Sequence, residues 1–421
     1  MADNALPNRW WVVFTTFFAE IVGGAAIMVF ATGVYLKPIG QELHFSRGVF
    51  SSALGLANIV TAFAAPVFGW LIDRYGMRVI MLPMLVLFAL STGAISLLTA
   101  SVGLLIVLFA IQGLFATVQL PAGYSKMISA RFDDQRGLAL GIGLAGVGLG
   151  TVLLPQYARV LMEHYGWRTG YLGLGVAIFI LAFIPVALFF KEPEVMRKNR
   201  ELMKAGVKTD DPSLPGITLS EAMRKGKYWA LTFSVFLLLS VTNGILVHVV
   251  PMLTDRGISV KTAVTALSVG GMMLIIGRLI AGYLLDKVYA IYIAIFFMAV
   301  PIIGVALLIS GAAGLWPTLA VITVGLSIGA ELDLVAFIVS RYFGIRSFGA
   351  LCGLIMMFVN FANAAGMMLM GWCFQIKHSY VPMLWVFVVF LVVAIALMSS
   401  MGPYRYPAPK KQQPKEMAAA S

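Results

Sequence analysis

"FGWLIDRYGMR" occupies residues 68–78, and the chain returns to the same theme with "AGYLLDKVYA" at 281–290. In each stretch a glycine (Gly69, Gly282) precedes an aspartate by four residues (Asp73, Asp286), and a base follows at once (Arg74, Lys287). A second pair of segments behaves alike: "ISARFDDQRGLALG" at 128–141 and "IVSRYFGIRSFGALCG" at 338–353. The two glycines lie 213 residues apart, and Arg131 lies 210 residues before Arg341. A repeat of that period in a chain of 421 residues predicts two similar halves facing each other.

What lies between these motifs sets the solvent. Hydrophobic residues make up 60% of the chain and charged residues 11%, whereas a soluble domain carries about 25% charged residues. No polar surface can be built from that supply in water, so the chain is read as a polytopic protein of the lipid bilayer. Apolar runs of about 20 residues mark spanning helices. Twelve are expected, at 10–36, 48–72, 79–99, 102–128, 136–163, 168–190, 227–254, 259–286, 289–311, 315–342, 346–374 and 380–401. The first has no small-residue cleavage site and is too long for a signal segment, so it is expected to stay as a span. The fold class is therefore all-α membrane protein, with twelve transmembrane helices in two six-helix pseudo-symmetric halves. Residues 1–190 and 227–401 form the halves. Residues 191–226 read as a polar linker with a short surface helix starting near Thr218, and 402–421 as a disordered tail.

The net charge of +12 follows topology. With the N-terminus inside, Lys and Arg favour the inner side by roughly three to one, which is the positive-inside bias. Both termini are expected on the cytoplasmic side of a plasma membrane, in bacteria the inner membrane, and no nucleic-acid partner is implied. Cys352 and Cys373 fall on one predicted helix, about 31 Å apart at 1.5 Å per residue, and cannot pair. "GIGLAG" (141–146) fits a dinucleotide pattern but sits in an apolar helix with no strand before it, so small-residue helix packing is the better reading. There is no phosphate-binding loop and no Cys/His metal spacing. Neither cofactor nor metal is expected, and an enzyme is disfavoured.

Twelve spans in a six-plus-six duplication, a long central loop and "GWLIDRYGMR" after the second span together resemble the major facilitator superfamily. Its loop signature maps onto Gly69, Asp73, Arg74, Gly76 and Arg78, with Gly282, Asp286 and Lys287 as the second-half echo. The resemblance implies a cytoplasmic latch for the outward-open state, in which Gly69 permits close helix approach; Arg131, Arg136 and Arg341 of the matching loops join that set. Within the superfamily, "RFDDQRGLALGIGLAGVGLG" (131–150) is similar to the helix-5 signature of monocarboxylate transporters. "GRLIAGYLLDK" (277–287) resembles helix 8 of that family and of oxalate/formate antiporters, through Arg278, Gly282 and Asp286. The chain departs from these patterns at Leu274, where monocarboxylate transporters carry an acid, at Phe30, where they carry a buried Lys, and at Asn360 and Asn363, where oxalate antiporters hold a second base. One strong cation instead of two favours a monoanionic substrate, or one carboxylate plus an apolar body.

Arg278 poses the main question, because a charge deep in a bilayer costs several kcal/mol, ~2.5–3.5 on insertion scales. Counted along the helices, Arg278 lies about 12 Å from the inner end, Glu20 and Glu331 about 15 Å, and Asp333 about 12 Å. All four share a level near the middle of the bilayer. Arg278 is read either as a planar fork for a substrate carboxylate or as a permanent partner of Asp333 or Glu331. Those two acids are about 200° apart around one helix and cannot share a face. A carboxyl in low dielectric can carry a proton, so Glu331, Asp333 and Glu20 are the candidates for proton coupling. His248, Tyr124, Gln119, Asn243, Asn360 and Asn363 are candidate polar contacts to substrate, and Lys126 is expected to snorkel. The expected activity is secondary transport of small organic carboxylates by alternating access, with proton symport favoured by a monomeric carrier. Anion exchange and proton-driven drug efflux are the alternatives.

Overall fold

The computed structural model describes residues 9–129, 131–132, 136–190, 216–285, 287–311, 314–344 and 347–403. Asp286, linker residues 191–215, tail residues 404–421, and the side chains of Asp73, Arg136 and Asp333 lie outside the described residues. Eleven helical runs are long and apolar enough to cross a bilayer, and one of them, Ala139–Phe189, has 51 residues. That length makes about 76 Å of helix against a hydrocarbon core of about 30 Å. Gly166 breaks the run with φ 80° and ψ 166°, a conformation open in practice only to glycine. Twelve crossings result, as expected from the sequence.

In chain order they are α1 (Trp10–Leu43), α2 (Arg47–Tyr75), α3 (Met77–Leu97), α4 (Val102–Ile128), α5 (136–165) and α6 (167–189), then α7 (Gly226–Asp255), α8 (Val260–Leu285), α9 (Ala290–Ser310), α10 (Trp316–Phe343), α11 (Phe348–Lys377) and α12 (Val381–Ser399). The face where α1 begins and α12 ends is called here the terminal face, and the other the opposite face. Local signals set the ends. Ser46 caps α2 by accepting from the Val49 N–H, and Ser101 caps α4 through Leu104. A five-residue surface helix, Leu219–Met223, opens on a capping box between Thr218 and Glu221, where the sequence placed it. Just before it, Gly216 bridges Gly344 at the end of α10, with the Ile217 N–H donating to the Phe343 carbonyl.

Without a hydrophobic drive between helices in lipid, small residues decide which backbones come close. A Cβ at Gly146 or Gly150 of α5 would fall on the Phe17 or Ile21 carbonyl of α1, and one at Gly366 of α11 on the Ser240 carbonyl of α7. Gly113 of α4 sits on the Ala57 carbonyl of α2, and Gly325 and Gly329 of α10 on carbonyls of α8. The pairs α1·α5 and α2·α4 in the first half thus recur as α7·α11 and α8·α10 in the second. The halves meet along α2·α11 and α5·α8. The "GIGLAG" segment holds Gly146 and is packing surface.

Candidate functional site

Two broken helices build the first-half side of the site. α1 loses its regular path at Val22 (φ −99°, ψ 28°), beside Gly23 and Gly24, and resumes through a wide turn at Ala26–Ala31. α4 tightens at Thr117–Gln119 and then extends at Leu120, with ψ 132°. Pro121 explains that extension, because the residue before proline is pushed out of the helical region. Breaks free backbone carbonyls that lipid cannot satisfy. Here the Gln119 amide donates to the Ala19 and Val22 carbonyls of α1, each at 3.3 Å, and the Tyr124 hydroxyl donates to Gln119 Oε1 at 2.5 Å. Gln119 and Tyr124 are therefore structural ties between the breaks. Glu20 lies two residues before the α1 break and is buried, with Oε1 lacking a hydrogen-bond partner. A Cβ at Gly146 of α5 would lie 3.1 Å from Glu20 Cβ, so glycine there makes room for the acid.

The second half presents Arg278, which is half-buried. Gly329 of α10 lies against the Leu274 carbonyl and the Arg278 backbone nitrogen, fixing this turn of α8 from behind. On its other side α8 meets α5, where Ile275 fills the space over Gly148. The guanidinium acts electrostatically on Glu20 across the junction of the halves. Arg278 sits one turn, about 4.5 Å, to the terminal side of the Ile275–Gly148 contact.

That contact is where a wedge begins. Toward the opposite face the halves are tight: a Cβ at Gly55 would lie 2.5 Å from Met368, and one at Gly371 2.5 Å from Ser51. Toward the terminal face, a Cβ at Gly69 of α2, Gly141 of α5, Gly282 of α8 or Gly353 of α11 would meet nothing within 4 Å. The halves are thus in contact toward the opposite face and leave space at these four glycines toward the terminal face, and Arg278 lies just to the terminal side of the Ile275–Gly148 contact. Gly69 makes no close helix approach in this conformation; the sequence reading assigned that approach to a state closed on this side. Gly76 takes φ 102° in the α2–α3 turn, which accounts for a glycine there. Arg78 donates to the Ala187 carbonyl at 2.6 Å, tying α3 to α6, while Arg74 lies over Trp70 and Arg341 over Phe337. Arg131 is half-buried just past α4, and Lys126 is exposed as expected.

The remaining candidates divide. Glu331 is buried in a cavity of about 20 Å³, room for one water, lined by apolar residues of α7, α9, α10 and α12 together with Ser327. Neither carboxylate oxygen has a hydrogen-bond partner, so a pair between Glu331 and Arg278 is absent. Asn243 and Asn360 donate to carbonyls of their own helices, Leu239 and Met356. Asn363 keeps a buried Oδ1 without a hydrogen-bond partner. His248 is placed in the closure on the opposite face. There Asp255 of α7 takes a two-point contact from Arg47 of α2, at 2.5 and 2.8 Å, and a third from Lys37 of α1 at 3.0 Å. Arg47 also donates to Tyr380 and stacks over Phe374. Sequence reasoning saw these as topology charges; their pairing across the halves was its blind spot.

Comparison with known proteins agrees with this architecture. A family model described as Major Facilitator Superfamily matches residues 16–350. An uncharacterized MFS-type transporter of Bacillus subtilis, YcxA, is 25% identical over 404 residues, covering 91% of this chain and 92% of its own. Monocarboxylate transporter 11 of Homo sapiens is 28% identical over 382 residues, covering 86% and 76%. Among solved structures, a mutant of the nucleoside transporter NupG superposes with a TM-score of 0.75 at 12% identity, over 94% of this chain and all of the other, a likeness of fold alone.

Proposed function

This chain belongs to the Major Facilitator Superfamily and is a multi-pass membrane transporter of small molecules, and on that premise we propose that it carries small organic carboxylates together with protons. The observation that carries the reading is the position of Arg278: half-buried, one turn from the Ile275–Gly148 contact where the halves meet, on a stretch of α8 packed against Gly329 of α10. A guanidinium matches a carboxylate with two parallel charge-assisted hydrogen bonds, which selects planar anions over other small solutes.

Coupling follows from the field between Arg278 and Glu20. A bound carboxylate offsets that field and tightens the hold of Glu20 on a proton, so anion and proton travel together. Asp333 is the other candidate proton carrier. Glu331, enclosed within the second half, supports a structural role better. The basic bias of the loops places the terminal face in the cytoplasm, which makes the present conformation inward-open. The halves, residues 1–190 and 227–401, then rock about Arg278 within a monomer, and closing the terminal face brings Gly69, Gly141, Gly282 and Gly353 into contact.

Uptake of labelled lactate, pyruvate, oxalate, formate and an aromatic acid into proteoliposomes, with and without an imposed pH gradient, tests the reading. Accumulation of monocarboxylates is expected to follow an inward proton gradient. Arg278→Lys is expected to lower it about tenfold or more, since a point charge replaces a fork. Glu20→Gln is expected to retain exchange of preloaded anion and lose the gradient response. Wild-type uptake by a correctly inserted Arg278→Ala protein refutes the binding role. Uptake that needs an internal counter-anion and ignores the gradient reassigns the carrier as an exchanger.

A further inference from the structure

The opposite-face closure contains a histidine whose protonation state its neighbours dictate. His248 of α7 is fully buried. Its Nδ1 lies 3.2 Å from the Tyr380 hydroxyl, and its Nε2 lies 3.0 Å from Ser51 Oγ of α2 and 3.2 Å from the Met367 carbonyl of α11. Arg47 Nη1 donates to the same Tyr380 oxygen at 2.7 Å. A guanidinium can only donate, so that oxygen is an acceptor toward Arg47, and the one hydroxyl proton of Tyr380 is left to point at His248. The Met367 carbonyl can only accept, so Nε2 of the neutral ring is the donor and Nδ1 the bare acceptor. The remaining proton of the neutral ring sits on Nε2, where the Met367 carbonyl and Ser51 oxygen accept it. The closed gate thus holds His248 neutral, in one tautomer, through a chain running from Arg47 through Tyr380 to the imidazole.

We propose that His248 is a proton-binding site of the opposite-face gate, and that its protonation opens that face. A proton on Nδ1 turns the acceptor into a second donor toward Tyr380, whose own hydroxyl proton then has no acceptor. The stranded hydroxyl proton and the new positive charge beside Arg47 both weaken the closure where α2 meets α7 and α12. Other ionisable groups face this cluster. Asp255, seven residues further along α7, binds Lys37 of α1 and Arg47 of α2, and Cys373 of α11 lies near Tyr380. Protonation of Asp255 would also loosen the gate, by releasing two cations, so the test has to separate the two. The proposal extends the transport reading by giving proton binding a direct hold on which face is open. It concerns conformation and needs no substrate, so it can fail while carboxylate transport stands.

The test is the distance between spin labels on Gln41→Cys of α1 and Lys261→Cys of α8, both exposed at the opposite face, in a Cys352→Ala/Cys373→Ala background in lipid nanodiscs between pH 5 and 8. Acid is expected to increase the long-distance population in the parent by about tenfold, the equivalent of one charge-assisted hydrogen bond. His248→Gln, which stays neutral, is expected to abolish that response, and Asp255→Asn to preserve it from a more open baseline. Tyr380→Phe, which keeps the ring and removes the relay, is expected to abolish it as well, and it decides the matter should His248→Gln not fold. Overturning results are an unresponsive parent, a His248→Gln or Tyr380→Phe protein that opens with acid like the parent, or a response that disappears with Asp255→Asn alone.

Discussion

Helix α11 carries Gly353 and Gly371 eighteen residues apart, five full turns, so both point from the same side of the helix about 27 Å from each other. One faces the open wedge and the other the closed gate. Adding a side chain at Gly371 puts its Cβ 2.5 Å from Ser51 Cβ and 2.7 Å from the Arg47 carbonyl, whereas at Gly353 it meets nothing within 4 Å. Ordinary contacts begin near 3.4 Å, so Gly371→Val requires α2 and α11 to part by about 1 Å at the opposite face. Overpacking of this kind costs about 1–3 kcal/mol. The cost falls only on conformers closed at that face, so Gly371→Val shifts the population toward opening there by about fivefold to a hundredfold. Gly353→Val fits the present conformer and penalises only closure of the terminal face, so it shifts the balance the other way. The spin-label pair Gln41→Cys/Lys261→Cys reads both. Shifts in the same direction, or none in either well-folded variant, refute the assignment of these two faces as alternating gates.

Replacing Gly76 with Val forces φ 102° on a β-branched residue and is expected to cost about 1–3 kcal/mol, read as lower thermal stability in detergent. Gly146→Leu, directed at the Phe17 carbonyl and at Glu20 Cβ, is expected to abolish folding of the first half, measured as loss of the monodisperse peak. Glu331→Leu is expected to stabilise the protein by about 1–3 kcal/mol by removing a buried carboxyl without hydrogen bonds, with carboxylate uptake retained. Loss of gradient-driven uptake in that variant reassigns proton coupling to Glu331. Tyr124→Phe is expected to loosen Gln119 and cost about 1 kcal/mol, seen as a lower melting temperature.

The twelve crossings were legible because composition and run length report directly on solvent. The repeat at Gly69 and Gly282 disclosed the duplication because the two glycines hold corresponding places near the ends of α2 and α8, and both lie in open space. Depth was legible too: counting 1.5 Å per residue put Arg278 and Glu20 at one level, and they do interact across the halves. Azimuth was not. Glu331 shares that depth, yet it turns into an apolar space between α7, α9 and α12, which depends on neighbours that periodicity within α10 cannot name. The gate was hidden for another reason. Arg47 meets Asp255 across 208 residues and Tyr380 across 333, and each side chain taken alone is an ordinary residue at a membrane rim. Gln119 and Tyr124 drew attention as polar groups in apolar helices, but their task could be seen only once the carbonyls freed at Val22 were in place.

The interruption of α1 has its own consequence. Residues before it lie against Gly146 and Gly150 of α5, whereas Gly33, beyond it, rests on the Val247 carbonyl of α7. A single span is thereby shared between two loyalties: its first stretch packs on its own half, and its second keeps that hold through Tyr35 on the Ala158 carbonyl while also touching the partner half. Jointed like a knuckle at Val22, such a span can let one end swing before the other follows. On the alternating-access reading proposed above, that joint would let the carrier pass through an intermediate closed at both mouths without dismantling either bundle.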